Sequence, residues 1–271
     1  MDWLGNAIGR RVVGYLTQDV RSEPLVPGDP EALRATLKIG DVLLVAGRSR
    51  VAAVIRRMTS SIWSHSVLYV GDMLDVFEPD GERHTLVEME IGVGCASAPL
   101  SKYAGEQTRI CRPFDLDVKE REQVARYLIL RLGYEYDVKN IFDLMRYLTP
   151  LPLISHSMGR RVLMLGSGLP TRAICSSLIA RAFDQVRYPI LPRIETVSDE
   201  GARREILHIR HHSLYMPRDF DISPYFEVVK PTLCQGFDYR KVEWAERRAT
   251  PRPEPAPPVT PEILAMRRDQ G

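Results

Sequence analysis

His65, Glu88 and Cys175 are the residues of this sequence whose types and settings could together do chemistry. His65 lies in the alternating run Ser64-His65-Ser66-Val67-Leu68-Tyr69-Val70, ahead of a Gly71-Asp72 turn, which reads as a strand. Glu88 lies in Thr85-Leu86-Val87-Glu88-Met89-Glu90, a further strand ended by Gly92 and Gly94. Cys175 follows a turn at Pro170-Thr171-Arg172 and stands near the first turn of an apolar segment reaching Phe183, predicted to be a buried helix. A thiol, an imidazole and a carboxylate are the parts of a nucleophile, a base and an orienter. A free thiol has a pKa of about 8.5, and the unpaired N–H groups of a helix's first turn, with a neighbouring imidazolium, favour the thiolate. The same N–H groups can hold an oxyanion. His65 would pair with the thiolate and later protonate a leaving group, while Glu88 accepts from the other ring nitrogen and sets the tautomer. Glu90 competes with Glu88, because it shares the strand face two residues on. Taken singly, a cysteine in an apolar helix is usually a small buried residue, and a lone strand histidine is usually structural.

The elements that must position these groups have room to do so. A chain of 271 residues corresponds to about two domains at ~150 residues each, or to one large domain of about 200 to 250. With 44% hydrophobic and 27% charged residues it has the balance of a folded globular chain, not of a disordered or collagenous one. The formal charge of +2 lacks the basic excess of a nucleic-acid binder. The cysteines Cys95, Cys111, Cys175 and Cys234 form no C-x-x-C pair, so neither a zinc knuckle nor a disulfide framework is expected. Arg10 and Arg11 follow the first apolar residues instead of preceding them, and cytoplasmic residence is expected. No apolar run reaches the roughly 18 residues of a membrane span.

Along the chain, residues 1–18 put Trp3, Ala7, Ile8, Val12, Tyr15 and Leu16 on one helical stripe. This reads as an amphipathic helix docked on its own domain, or as a peripheral membrane contact with Trp3 at headgroup level. A proline-rich connection over 24–30 leads to a strand at 39–45, the strands of His65 and Glu88, and a fourth at 109–112. Residues 117–132 predict a helix closed by Gly133, and 138–170 an apolar, Arg-punctuated helical insertion. The last fold-like segment is 215–230. From about Ala249, repeated prolines make a stiff, polyproline-like tail. The expected organisation is an N-terminal helix and linker over 1–36, a catalytic domain over 37–232, and an extended tail over 233–271.

The remaining histidines carry less. His208, His211 and His212 cluster with Arg203, Arg204 and Arg210 but lack a carboxylate at ligand-like spacing, and read as a solvated basic face. His84 reads as a turn residue, and His156 falls in the insertion. Cys95 and Cys111 have no motif around them. No metal and no cofactor is expected.

Six blocks, in order, carry a resemblance: Gly40-Asp41-Val42-Leu43-Leu44, Trp63-Ser64-His65-Ser66-Val67, Val87-Glu88-Met89, Gly133-x-x-Tyr136-Asp137, Ile174-Cys175-Ser176-Ser177-Leu178-Ile179 and Met216-Pro217-Arg218-Asp219-Phe220-x-x-Ser223. Over residues 38–230 the chain resembles the circularly permuted papain-like cysteine hydrolases, the YiiX and YebB-like branch of the NlpC superfamily. The resemblance implies an α+β fold, a small antiparallel sheet packed with helices and the nucleophile at a helix N-terminus. It also implies Cys175 as nucleophile, His65 as general base and acid, and Glu88 as the orienting residue. Tyr136-Asp137 is expected to pack or cap, and Asp41 to hold the turn. Two departures stand out: the long apolar stretch between Asp137 and Cys175, and Met89 where the family has a small residue. The implied function is hydrolysis or acyl transfer at an amide or ester through a cysteine thioester, on a peptide-like, small-molecule or lipid-like substrate. A non-catalytic binding module that uses the fold for membrane or partner contact is the alternative from another class, and a cell-wall peptidase is a third.

Overall fold

Strand β1 (Val42–Val45) consists of four apolar residues, all buried. Successive side chains of a strand point to opposite faces, so a continuous apolar run needs cover on both sides. The computed structural model supplies that cover; it describes residues 30–134, 175–199 and 202–234, with the single positions Gly14, Gln18, Gly236 and Arg240. The architecture is α+β. In chain order the helices are α1 (Pro30–Thr36), α2 (Arg50–Thr59), α3 (Val118–Ile129), α4 (Cys175–Gln185), α5 (Pro217–Asp221) and α6 (Pro231–Cys234). The other strands are β2 (His65–Tyr69), β3 (His84–Glu90), β4 (Gly94–Pro99), β5 (Thr108–Pro113), β6 (Arg193–Asp199), β7 (Ala202–His208) and β8 (Phe226–Val229). Six of them form one sheet in the order β4-β3-β2-β1-β5-β8, antiparallel throughout. The β6–β7 hairpin is a separate two-stranded sheet.

Val42 and Leu44 point into a cluster with Leu68, Val124 and Leu128 of α3, and Phe183 of α4. Leu43 and Val45 point the other way, into a cluster with Leu33 of α1 and with Leu100 and Tyr103 of a 3-10 turn, Leu100–Tyr103. Each fully buried Leu or Phe in these layers contributes about 1.5–3 kcal/mol. Helix α3 starts where the sequence puts it: Asp117 accepts from the Glu120 N–H at 2.8 Å, and Glu120 returns the bond to the Asp117 N–H at 3.0 Å, a capping box.

Several elements depart from the sequence expectation. Gly94 does not end a strand; it opens β4, which returns alongside β3 with Gly94 opposite Glu90 across a turn in which Gly92 has φ 83°. Small residues, Gly-Cys-Ala-Ser-Ala-Pro, hide this strand from a reading based on β-branched types. Residues 30–36, expected as linker, form α1 with proline at the first helical position and Leu33 buried. Arg203, Arg204 and His208 lie on strand β7 of the hairpin. The N-terminal stripe, the insertion at 138–170 with His156, and Tyr136-Asp137 lie outside the described residues apart from Gly14 and Gln18. The chain divides into two units, Met1–Gly236, which contains every element named above, and Phe237–Gly271. No described helix is long and apolar enough to cross a membrane.

Candidate active site

His65 is the first residue of β2, and its neighbours anchor that end of the strand in three directions. Trp63, almost fully buried, donates its indole N–H to Asp221 of α5 at 2.9 Å, and Arg109 stacks 5.0 Å over its ring. The Ser64 hydroxyl accepts from the Gly47 N–H at 2.9 Å and donates to the Val45 carbonyl at 3.3 Å. The Ser66 hydroxyl lies 3.1 Å from that of Ser176 on α4. Both serines are buried, so only a short side chain with its own polar partner fits there.

The imidazole Nε2 meets Glu88 Oε2 at 2.5 Å. The same oxygen accepts from the Tyr103 hydroxyl at 2.5 Å, and Oε1 accepts from Lys102 Nζ at 2.8 Å. Lys102 also donates to Glu90 Oε2 at 2.9 Å, so Glu90 is Lys102's partner and Glu88 is the carboxylate on His65. Glu88 is 3% exposed. Burial would push its pKa up, yet the His65 and Lys102 contacts hold it down at about 2. With Nε2 engaged, the ring nitrogen left for a thiol is Nδ1.

The thiol reaches the imidazole through a split in the sheet. Strand β2 pairs with β3 at Leu68↔Val87 and Tyr69↔Leu86. Among the described residues no ladder pair joins His65, Ser66 or Val67 to β3, while both strands keep their outer partners over this stretch, β1 and β4. Backbone donors alternate along β2: the Tyr69 N–H goes to Asp41 on the β1 side and the Val70 N–H to Thr85 on the β3 side. By that alternation the Ser66 N–H faces the split, on the side of Cys175, whose sulfur lies 3.8 Å from the Ser176 hydroxyl. Burial pushes the Cys175 thiol up, but the His65 charge and hydrogen bond and the two Ser66 donors overcome it and bring the thiol to about 7. Burial likewise works against the His65 imidazolium, and the facing thiolate with Glu88 reverses this, raising His65 to about 10. The three residues singled out in the sequence thus lie together, His65 hydrogen-bonded to Glu88 and electrostatically coupled to Cys175.

A cleft of about 280 Å³ opens beside His65 and Glu88. Val45, Val51, Ala52 and Ile55 give it an apolar wall, and Lys102 and Glu106 are charged residues on its lining. Cys175, 9% exposed, does not line it. Tyr103 and Lys102 follow strand β4, which no sequence pattern marks, and belong to no motif. Ser66 stands in the sequence only as a neighbour of His65, and Ser176 only as part of the Cys175-Ser176 block of the resemblance.

The other residues considered lie elsewhere. His84 sits between Ser97 and Glu78. His211 and His212 stack on each other at 4.1 Å. Asp41 is a fully buried partner of Arg112. Cys95 and Cys111 are buried, with pKa values raised by desolvation, Cys95 to about 11. Among the described residues no group of three or more His, Cys, Asp or Glu side chains is placed to share a metal ion.

No family model matches the sequence, and no curated protein does. Among solved structures the chain is similar to the crystal structure of metalloprotein yiiX from Escherichia coli O157:H7. The match has 14% identity and a TM-score of 0.40, and covers 71% of this chain and 96% of that one.

Proposed function

We propose that this protein is a thiol-dependent hydrolase or acyltransferase that opens an amide or ester bond through a thioester on Cys175, in a circularly permuted papain-like domain of the NlpC type. The observation that carries the proposal is the chain Cys175–His65–Glu88, its thiol and carboxylate buried and its imidazole part-buried at the cleft, with the thiol drawn down to about 7 and the imidazole up to about 10. Between those values the pair is a thiolate and an imidazolium, the charged form a nucleophile needs. The Cys175 sulfur attacks the substrate carbonyl carbon and forms a C–S bond, and donors at the N-terminal end of α4 meet the oxyanion. As the C–N or C–O bond breaks, His65 gives its proton to the departing amine or alcohol. Water, or an acceptor hydroxyl or amine, then attacks the thioester, passes its proton to His65 and returns the thiolate. Glu88 stays ionised and keeps Nε2–H in place through both halves. The apolar wall of the cleft suits the acyl side of a peptide-like or lipid-like substrate.

A second reading, a non-catalytic binding module, draws on one observation: Cys175 is nearly buried and does not line the cleft beside its partners. One experiment separates the two. Ultraviolet thiolate absorbance is titrated against pH for the wild type, for Cys175→Ser and for His65→Ala, with iodoacetamide labelling mapped site by site. The expected result is a Cys175 midpoint near pH 7 that is lost in His65→Ala, with labelling that follows the same curve. A Cys175 that titrates in the ordinary thiol range in both proteins removes the nucleophile and favours the binding module.

A further inference from the structure

Resting on the thiol reading of the site, we propose that Tyr103 and Lys102 are positioning residues of the triad: from one 3-10 turn they hold Glu88 against His65 where the sheet itself does not. Neighbouring strands ordinarily keep facing side chains about 4.5–5.5 Å apart through their backbone ladder. Here the ladder between β2 and β3 ends at Leu68↔Val87, short of both His65 and Glu88. Continued across the split, its register would set His65 opposite Glu90 and Val67 opposite Glu88. The observed contact is the diagonal one, His65 to Glu88.

The turn Leu100–Tyr103 supplies what the ladder lacks. Tyr103, buried among the apolar residues on that face of the sheet, presents its hydroxyl to Glu88 Oε2. That is the oxygen His65 also uses, so the carboxylate cannot turn without losing both donors. Lys102 takes the other oxygen and ties it to Glu90, which keeps Glu90 away from His65. The result is a line of alternating charges, Glu90, Lys102, Glu88, His65 and Cys175, in which both strand carboxylates have a place. Both residues also line the cleft, but what they bond is Glu88, and in this scheme they act on the thiol through it.

The test is the Cys175 thiolate titration in Tyr103→Phe, Glu88→Gln and the double variant. Phenylalanine keeps the buried ring and removes only the hydroxyl. Loss of positioning lets Glu88 swing away, the imidazolium loses its partner and the Cys175 midpoint rises by about one pH unit, a roughly tenfold drop in thiolate below neutral pH. If the hydroxyl merely shared the oxygen, its removal would strengthen the remaining bond to His65, and the midpoint would stay or fall. Because Tyr103 acts through Glu88, the double variant is expected to match Glu88→Gln alone. Lys102→Met, on a partly exposed side chain, is expected to raise the midpoint, and Lys102→Arg to restore it. A wild-type midpoint near 7 that Tyr103→Phe leaves unmoved, or effects that add in the double variant, overturns the positioning role alone. A wild-type midpoint in the ordinary thiol range overturns the thiol reading and this proposal with it.

Discussion

Burial by itself raises a thiol's pKa, and Cys175 is buried, so its lowered value depends on a few specific donors. His65 is the larger contributor and Ser66 the next, through both its hydroxyl and its backbone N–H. A hydrogen bond to a charged group is worth about 1.5–3 kcal/mol. Ser66→Ala removes one such donor and leaves the N–H, so the thiolate midpoint is expected to rise by about one pH unit, read by the same titration. The signs of the pH dependence follow from the direction of each shift. Glu88, held down at about 2, contributes stability above its ordinary range near 4.5 and loses it as the pH falls toward 2. His65, raised to about 10, contributes fully below 6.5 and loses that as the pH climbs through 10. At this scale the sequence was legible for residue types: a strand His between serines, a strand Glu and a Cys at a helix start. It left Glu88 and Glu90 equivalent, because two residues on one strand face differ only in what a distant lysine and tyrosine choose to bind.

The elements that hold these residues turn on the Gly40-Asp41 corner before β1. Asp41 is fully buried; it accepts from the Lys38 N–H at 2.9 Å and from Arg112 at 2.9 and 2.6 Å, tying the corner to β5. Removing one partner of a buried pair leaves the other charge without compensation, at a cost of about 3–5 kcal/mol. Asp41→Ala is therefore expected to lose about that much in urea denaturation while the Cys175 midpoint of the folded protein stays where it is. The motif residue thus belongs to the frame and not to the chemistry. Strands β1, β2, β3 and β5 were readable because a short apolar run or an alternation, bounded by turn residues or proline, marks them. Strand β4 and helix α2 were not: one is built from small residues, and the other is a basic segment, Arg-Val-Ala-Ala-Val-Ile-Arg-Arg-Met-Thr, which becomes a helix with Ser49 as its cap.

Across the whole molecule, the sheet is covered on both faces, and α4 connects the larger cluster to the site. Phe183, fully buried on α4, packs edge-on against Phe226 at 5.3 Å and near Tyr188 at 5.6 Å. Truncating such a ring costs about 3–5 kcal/mol. Phe183→Ala is expected to lower the urea midpoint accordingly, and to raise the Cys175 midpoint as the helix loses its seat, whereas Asp41→Ala changes stability alone. Composition and periodicity by themselves determined that the chain folds, that it carries both strands and helices, and which thiol and imidazole were worth bringing together, with Glu88 and Glu90 both open as the carboxylate; the α+β class was what the resemblance implied. Those properties are local: a strand's alternation and a residue's chemistry are written within a few positions. Only the tertiary structure decided that β2 and β3 part at the level of His65, that Cys175 comes to the side of β2 where this split lies, and that Tyr103 and Lys102 assign Glu88 to the histidine. Each of these depends on segments far apart in sequence meeting at hydrogen-bond distance, and no local pattern encodes such a meeting.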